Sequence, residues 1–86
     1  MAEPIFDYPT QAKRVKDALK SYFADDAYIV TEEGYNGRVH IKIVSKQFNG
    51  KREKEKQELI WEILQEKLGS EATAVSLAIP YGTDEL

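Results

Sequence analysis

The side chains able to do chemistry are few: one histidine, His40, and no cysteine in 86 residues. A chain without cysteine has no thiol nucleophile, no thiolate metal ligand and no disulfide. A Ser-His-Asp arrangement would have to use His40. It stands beside Lys42 in an alternating run, where it reads as a surface histidine paired with Glu33. A metal site needs several converging ligands, and one imidazole among scattered carboxylates is a weak set. Glu53, Glu55, Glu58, Glu62 and Glu66 fall among lysines on the solvent side of a helical pattern, with Lys54 and Glu58 as an i,i+4 pair. No P-loop and no G-x-G-x-x-G run occurs. These residues do not point to an enzyme.

The turn Phe48-Asn49-Gly50-Lys51 offers more. It stands before a helix start, where free N–H groups attract anions. Lys51, Arg52, Lys54 and Lys56 add positive charge, and interleaved glutamates dilute it. The competing reading is a plain helix start with Phe48 plugging the core beneath. Trp61 lies between the apolar stripe and the charged face of the same helix. It reads as a core-edge aromatic, and exposure would turn it toward a protein partner.

Five elements must position these residues. Ala12, Val15, Leu19, Tyr22 and Phe23 recur at helical spacing after a Pro9 suited to a first turn. This predicts a helix over Pro9–Phe23, broken at Ala24-Asp25-Asp26. Ala27–Thr31 is rich in β-formers. Arg38–Ser45 alternates, with Val39, Ile41 and Ile43 on one face and His40 and Lys42 on the other. Between the two runs stands Asn36-Gly37, a hairpin signal that demands positive φ at both positions. A tight turn sets Glu33 opposite His40 and Thr31 opposite Lys42; a bulge at Gly34 shifts that register by one. A second helix is predicted over Arg52–Leu68, with Leu59, Ile60, Ile63, Leu64 and Leu68 as its stripe and Gly69 past its end. A third strand, Ala72–Ile79, places Val75, Leu77 and Ile79 on one face and Ala74, Ser76 and Ala78 on the other.

The strand–helix–strand unit requires a parallel pair. The fold class is therefore α+β, in the order α-β-β-α-β, with a three-stranded mixed sheet and both helices on one face. The opposite face, with His40, Lys42, Ala74, Ser76 and Ala78, is left uncovered, and its small residues would allow a second copy to approach as a homodimer. The length makes this one domain, with Met1–Asp7 as a loose lead-in and 81–86 as a short acidic tail. Apolar residues are 42% of the chain, enough for a core without staples, and a net charge of −3 argues against a broad phosphate-binding surface. No apolar run is long enough to span a membrane, and none reads as a signal peptide, so the default location is the cytoplasm.

The combination of a hairpin, a strand ending Val44-Ser45, the Phe48-x-Gly50-Lys51 turn and the following helix and strand resembles the BolA family. The resemblance covers about Ala27–Ile79, and the first helix fits in place and length. It implies a fold like that of type II KH domains and a non-enzymatic adaptor. Such proteins pair with monothiol glutaredoxins, sometimes around a shared [2Fe-2S] cluster, in iron–sulfur homeostasis and stress responses. The surface so implied combines Phe48, Gly50, Lys51, Arg52, Lys54, Lys56, Gln57 and Thr73. Two departures stand out. Lys56-Gln57-Glu58 occupies the place of an R-H-R run, and Thr73 the place of a cluster-ligating histidine. No cofactor of this chain's own is therefore expected. The alternative the resemblance offers is a KH-like transcriptional regulator that binds DNA or RNA. Arg38, Lys42, Lys46, Lys51, Arg52 and Lys54 would then form its positive strip, although Gly50-Lys51-Arg52-Glu53 only partly resembles a G-x-x-G loop.

Overall fold

The computed structural model describes residues 5–23 and 27–85. Met1–Pro4, the expected break at Ala24–Asp26 and Leu86 lie outside them. Helix α1 spans Tyr8–Phe23, strand β1 Tyr28–Glu33, strand β2 Val39–Val44, helix α2 Glu53–Leu68 and strand β3 Val75–Tyr81. The sheet order is β1-β2-β3, antiparallel between the first pair and parallel between the second. The α-β-β-α-β order and the mixed sheet are as the sequence predicts.

The core forms where the apolar stripes of both helices meet one sheet face. Val15, Leu19 and Phe23 from α1, Val39, Ile41 and Ile43 from β2, and Ile60, Ile63 and Leu64 from α2 are all buried in one cluster. Ala18 completes the α1 stripe. Tyr22, expected in that stripe, lies edge-on to Phe23 with ring centroids 4.9 Å apart and stays largely in solvent.

The hairpin resolves the register question in favour of the shifted pairing. Gly34 N–H donates to the Arg38 carbonyl, closing a three-residue loop, Tyr35–Gly37, in place of a two-residue turn. Asn36 and Gly37 both take positive φ, 57° and 75°, as the Asn-Gly signal requires. A Cβ on Gly37 would also lie 1.9 Å from the Phe6 carbonyl oxygen, so glycine is needed there twice over. The extra loop residue sets Glu32 opposite His40 and Thr31 opposite Ile41. The expected Glu33–His40 pairing is therefore corrected. Glu33 faces Val39, and half-buried His40 packs over Gly34, where an added Cβ would meet its Nε2 at 2.5 Å.

The third strand also departs from expectation. A 3-10 turn over Gly69–Ala74 buries Ala72 and Ala74 and delays the strand to Val75. Val39 pairs with Val75 but His40 with Leu77, so Ser76 is an unpaired extra residue. Such a bulge inverts the facing of everything after it. Ala78 and Pro80 turn into the core, and Leu77 and Ile79 turn out. The uncovered face accordingly presents Val30, Glu32, His40, Lys42, Leu77 and Ile79 around a cleft of about 120 Å³. Ala74 and Ala78 are buried, so the small-residue route to close approach of a second copy is lost.

Candidate functional site

The site-bearing segment begins at Ser45, which is fully buried. Its hydroxyl accepts from Gln47 N–H at 3.1 Å and starts a 3-10 turn over Lys46–Phe48. That turn drives Phe48 into the core against Phe23, with ring centroids 5.3 Å apart. Burying such a side chain contributes about 3 kcal/mol. Phe48, proposed from sequence as part of a partner surface, is fully buried and belongs to the scaffold. Gly50 follows with φ 74° and open space around it, so only its backbone conformation calls for glycine. Arg52 begins α2, and the Glu55 carboxylate reaches back to accept from its N–H at 2.9 Å.

Lys51, Arg52 and Lys54 are exposed, as expected. Lys54 and Glu58 approach to 3.9 Å in solvent. Lys56 is corrected: it is only 3% exposed and is no part of a positive surface. Its ammonium donates to Glu85 at 2.6 Å and lies 3.1 Å from Glu53. The spacing of Lys56 to Ile60, Ile63 and Leu64 puts it on the buried stripe of α2. That spacing was legible; the carboxylate that neutralises it, 29 residues away, was not. The Glu85 hydrogen bond, and secondarily Glu53, holds the Lys56 ammonium above its ordinary pKa against the opposing effect of burial. The Lys56 hydrogen bond, with Gly82 N–H as a second donor, holds the Glu85 carboxyl below the usual range.

Glu85 belongs to a 3-10 turn, Thr83–Glu85, in the stretch read as an acidic tail. This turn folds back onto the start of α2. Asn49 Nδ2 donates to Thr83 Oγ1 at 2.8 Å, and Asn49 Oδ1 accepts from Asp84 N–H at 3.2 Å. Gly50 N–H donates to the Asp84 carboxylate at 3.1 Å. The N–H groups expected to attract an anion thus meet the chain's own carboxylates. The sequence signal for this was the pairing of an acidic run with a Gly-Lys turn, two features with no visible link in sequence.

Further along α2, Gln57 is half-buried and doubly engaged. Its amide donates to the Ala78 carbonyl at 2.8 Å and accepts from Trp61 Nε1 at 3.0 Å. Trp61 in turn lines an open groove of about 470 Å³ with Gln65, Gly69, Ser70, Thr73 and Val75. Thr73 is exposed and its hydroxyl donates to the Ser70 carbonyl at 3.0 Å. Gln57, Trp61 and Thr73 are therefore brought together. Arg52 starts the helix nine residues before Trp61, about 14 Å along its axis. The sequence-predicted residues split into two patches, and Trp61 belongs to the second of them.

The donors at the two departures are an amide and a hydroxyl, each already in an internal hydrogen bond. Neither fits an iron–sulfur cluster, which takes thiolate or imidazole. Among the described residues, no group of three or more His, Cys, Asp or Glu is placed to hold a metal ion. The positive strip is dispersed as well. Arg38 lies over the Phe6 ring at 5.7 Å with its Nε buried, and Lys42 sits on the uncovered sheet face, 5.8 Å from the Tyr81 ring. Among the described residues, no helix is long and apolar enough to cross a membrane.

No family model matches the chain, and no curated protein matches it. Solved structures do. BolA1 from Arabidopsis thaliana superposes with a TM-score of 0.67 at 21% identity, covering 88% of this chain and 95% of its own. The BolA domain of SufE1 from Arabidopsis thaliana superposes at 0.70 with 23% identity, covering 90% and 96%. The chain has the BolA fold.

Proposed function

We propose that this protein is a non-enzymatic, BolA-like adaptor of the cytoplasm that docks a monothiol glutaredoxin-type partner along α2. The observation that carries the reading is the groove between Trp61 and Thr73, set in a BolA fold beside the Gln57 hydrogen bonds. A half-buried Trp over a mainly apolar recess suits a protein contact, since Trp concentrates binding energy where it can be desolvated. The partner supplies any cluster ligands, because Gln57 and Thr73 offer neither imidazole nor thiolate. The nucleic-acid alternative is weakened by the burial of Lys56 and by Asp84 and Glu85 at the head of α2.

The test is an NMR titration of the isotopically labelled chain with a monothiol glutaredoxin, with and without its cluster. Shifts centred on the Trp61 indole, Gln57, Ser70 and Thr73 are expected. A spectrum unchanged at these positions would sink the proposal. Cluster absorbance should be the same with Thr73→Ala as with the unmodified chain, since the Thr73 hydroxyl is not asked to ligate.

A further inference from the structure

The turn Thr83–Glu85 is bound to the rest of the molecule in the way a short peptide is bound by a receptor. Asn49 makes three contacts to it: Nδ2 to Thr83 Oγ1, Oδ1 to Asp84 N–H, and a 3.2 Å contact between Thr83 Oγ1 and Oδ1. Gly50 N–H meets the Asp84 carboxylate. The Lys56 ammonium, nine-tenths and more buried, meets the Glu85 carboxylate. The Asn49 amide meets the turn's hydroxyl and backbone, and Gly50 N–H and Lys56 each meet one of its carboxylates. The turn itself is exposed at Thr83, Asp84 and Glu85, and it is linked to β3 through Gly82 alone.

We infer that Asn49, Gly50 N–H and Lys56 form a binding site for an acidic peptide turn of the type Thr-Asp-Glu, filled here in cis by residues 83–85. The consequence is competition: a partner's acidic turn reaches the site only when the chain's own turn lifts away. The covalent link gives the cis turn a high effective concentration, so it wins against a free peptide unless weakened. Because Asn49 and Gly50 adjoin the exposed Lys51 and Arg52, the site would act as a guarded end of the α2 docking surface. The recognition chemistry stands apart from the glutaredoxin reading and does not require it.

Two groups carry the charge balance around Lys56: Glu53 on its own helix and Glu85 on the turn. Asp84 is exposed and does not contact Lys56 directly, so replacing it leaves the buried ion pair intact. This makes Asp84→Asn the informative variant. It loosens the cis turn at one charge-assisted hydrogen bond without stranding the ammonium.

The experiment uses the full chain and a fluorescent, end-blocked hexapeptide with the sequence of residues 80–85. Asp84→Asn should bind the peptide about tenfold more tightly than the unmodified chain, the size of one such bond. Adding Asn49→Ala should remove the gain, and a peptide with Asn and Gln in place of Asp and Glu should not bind. Equal affinity for both chains, or none for either, would overturn the inference. Displacement of the peptide by inorganic phosphate at matching concentration would overturn it too, assigning the groups to a general anion. Circular dichroism verifies that Asp84→Asn is folded, and Thr83→Ala offers a neutral second way to loosen the turn with the same expected direction. No glutaredoxin is present in this assay, so its failure leaves the docking proposal untouched, and the reverse holds as well.

Discussion

The two ends of α2 solve the problem of a helix terminus in opposite ways. At its start, three groups able to bind a ligand are engaged within the chain: Gly50 N–H by Asp84, Arg52 N–H by Glu55, Lys56 by Glu53 and Glu85. At its far end, Gly69 takes φ 58° and the chain runs through a 3-10 turn that leaves an open groove under Trp61. The first end is closed by charge and hydrogen bonds. The second is left open by shape. Charge at a helix start is therefore poor evidence of a free binding surface, because the same charge can be what holds a distant segment in place.

The sharpest way to break this contrast is at its foundation. Phe48→Ala should cost about 3–5 kcal/mol in urea unfolding, because a fully enclosed ring leaves a cavity beneath the turn. A cost under 1 kcal/mol would mean that the closed end is not anchored in the core. Trp61→Ala should separate the two ends in the other sense. It should weaken partner docking by about 2 kcal/mol, roughly thirtyfold, while leaving most of the stability in place. Loss of stability in proportion to loss of docking would make Trp61 a core residue and the groove incidental. Gly50→Ala meets no neighbour but forces a side chain into positive φ, and should cost about 1 kcal/mol by the same unfolding measurement.

The closed end also predicts a pH response. Glu85 has a folded pKa held below the usual carboxylate range, so its stabilisation is present above about pH 4.3 and is lost as pH falls through the folded value. Lys56 is held above its ordinary pKa, so its share is full below about pH 10.4 and is lost only as pH rises beyond that. Near neutral pH both are intact. Glu85→Gln should flatten the acid limb of stability against pH; an unchanged limb would show that other carboxylates set it. The smallest effect should come from Lys54→Ala, a few tenths of a kcal/mol at most, since its pairing with Glu58 at 3.9 Å is solvent-exposed.

Much of this fold was legible because periodicity and turn chemistry are local. Val15, Leu19 and Phe23 declare α1, the alternation around Ile41 declares β2, and Asn36-Gly37 declares the turn between strands. The shifted hairpin register was one of two that Gly34 left open. What escaped were the displacement in β3 and the long-range partners. The bulge at Ser76 leaves no distinct mark in composition, yet it exchanged Leu77 with Ala78 between core and solvent. Lys56 was read by its charge, whereas its spacing to Ile60 already placed it inside. The candidate site fared less well than the fold for the same reason. Lys51 and Arg52 were found as exposed cations and Phe48 as a plug, but Asn49 gained its role only from Thr83 and Asp84, 34 and 35 residues away.

The hydrogen bond from Gln57 to the Ala78 carbonyl has a consequence beyond the groove it borders. Strand β3 ends the sheet on one side, and a free strand edge invites a foreign chain to continue the ladder. Here Pro80 offers no N–H, and Gln57 has taken the neighbouring outward carbonyl. One acceptor at that edge is thus occupied and one donor is missing. The side chain that borders the groove also occupies part of the edge of β3.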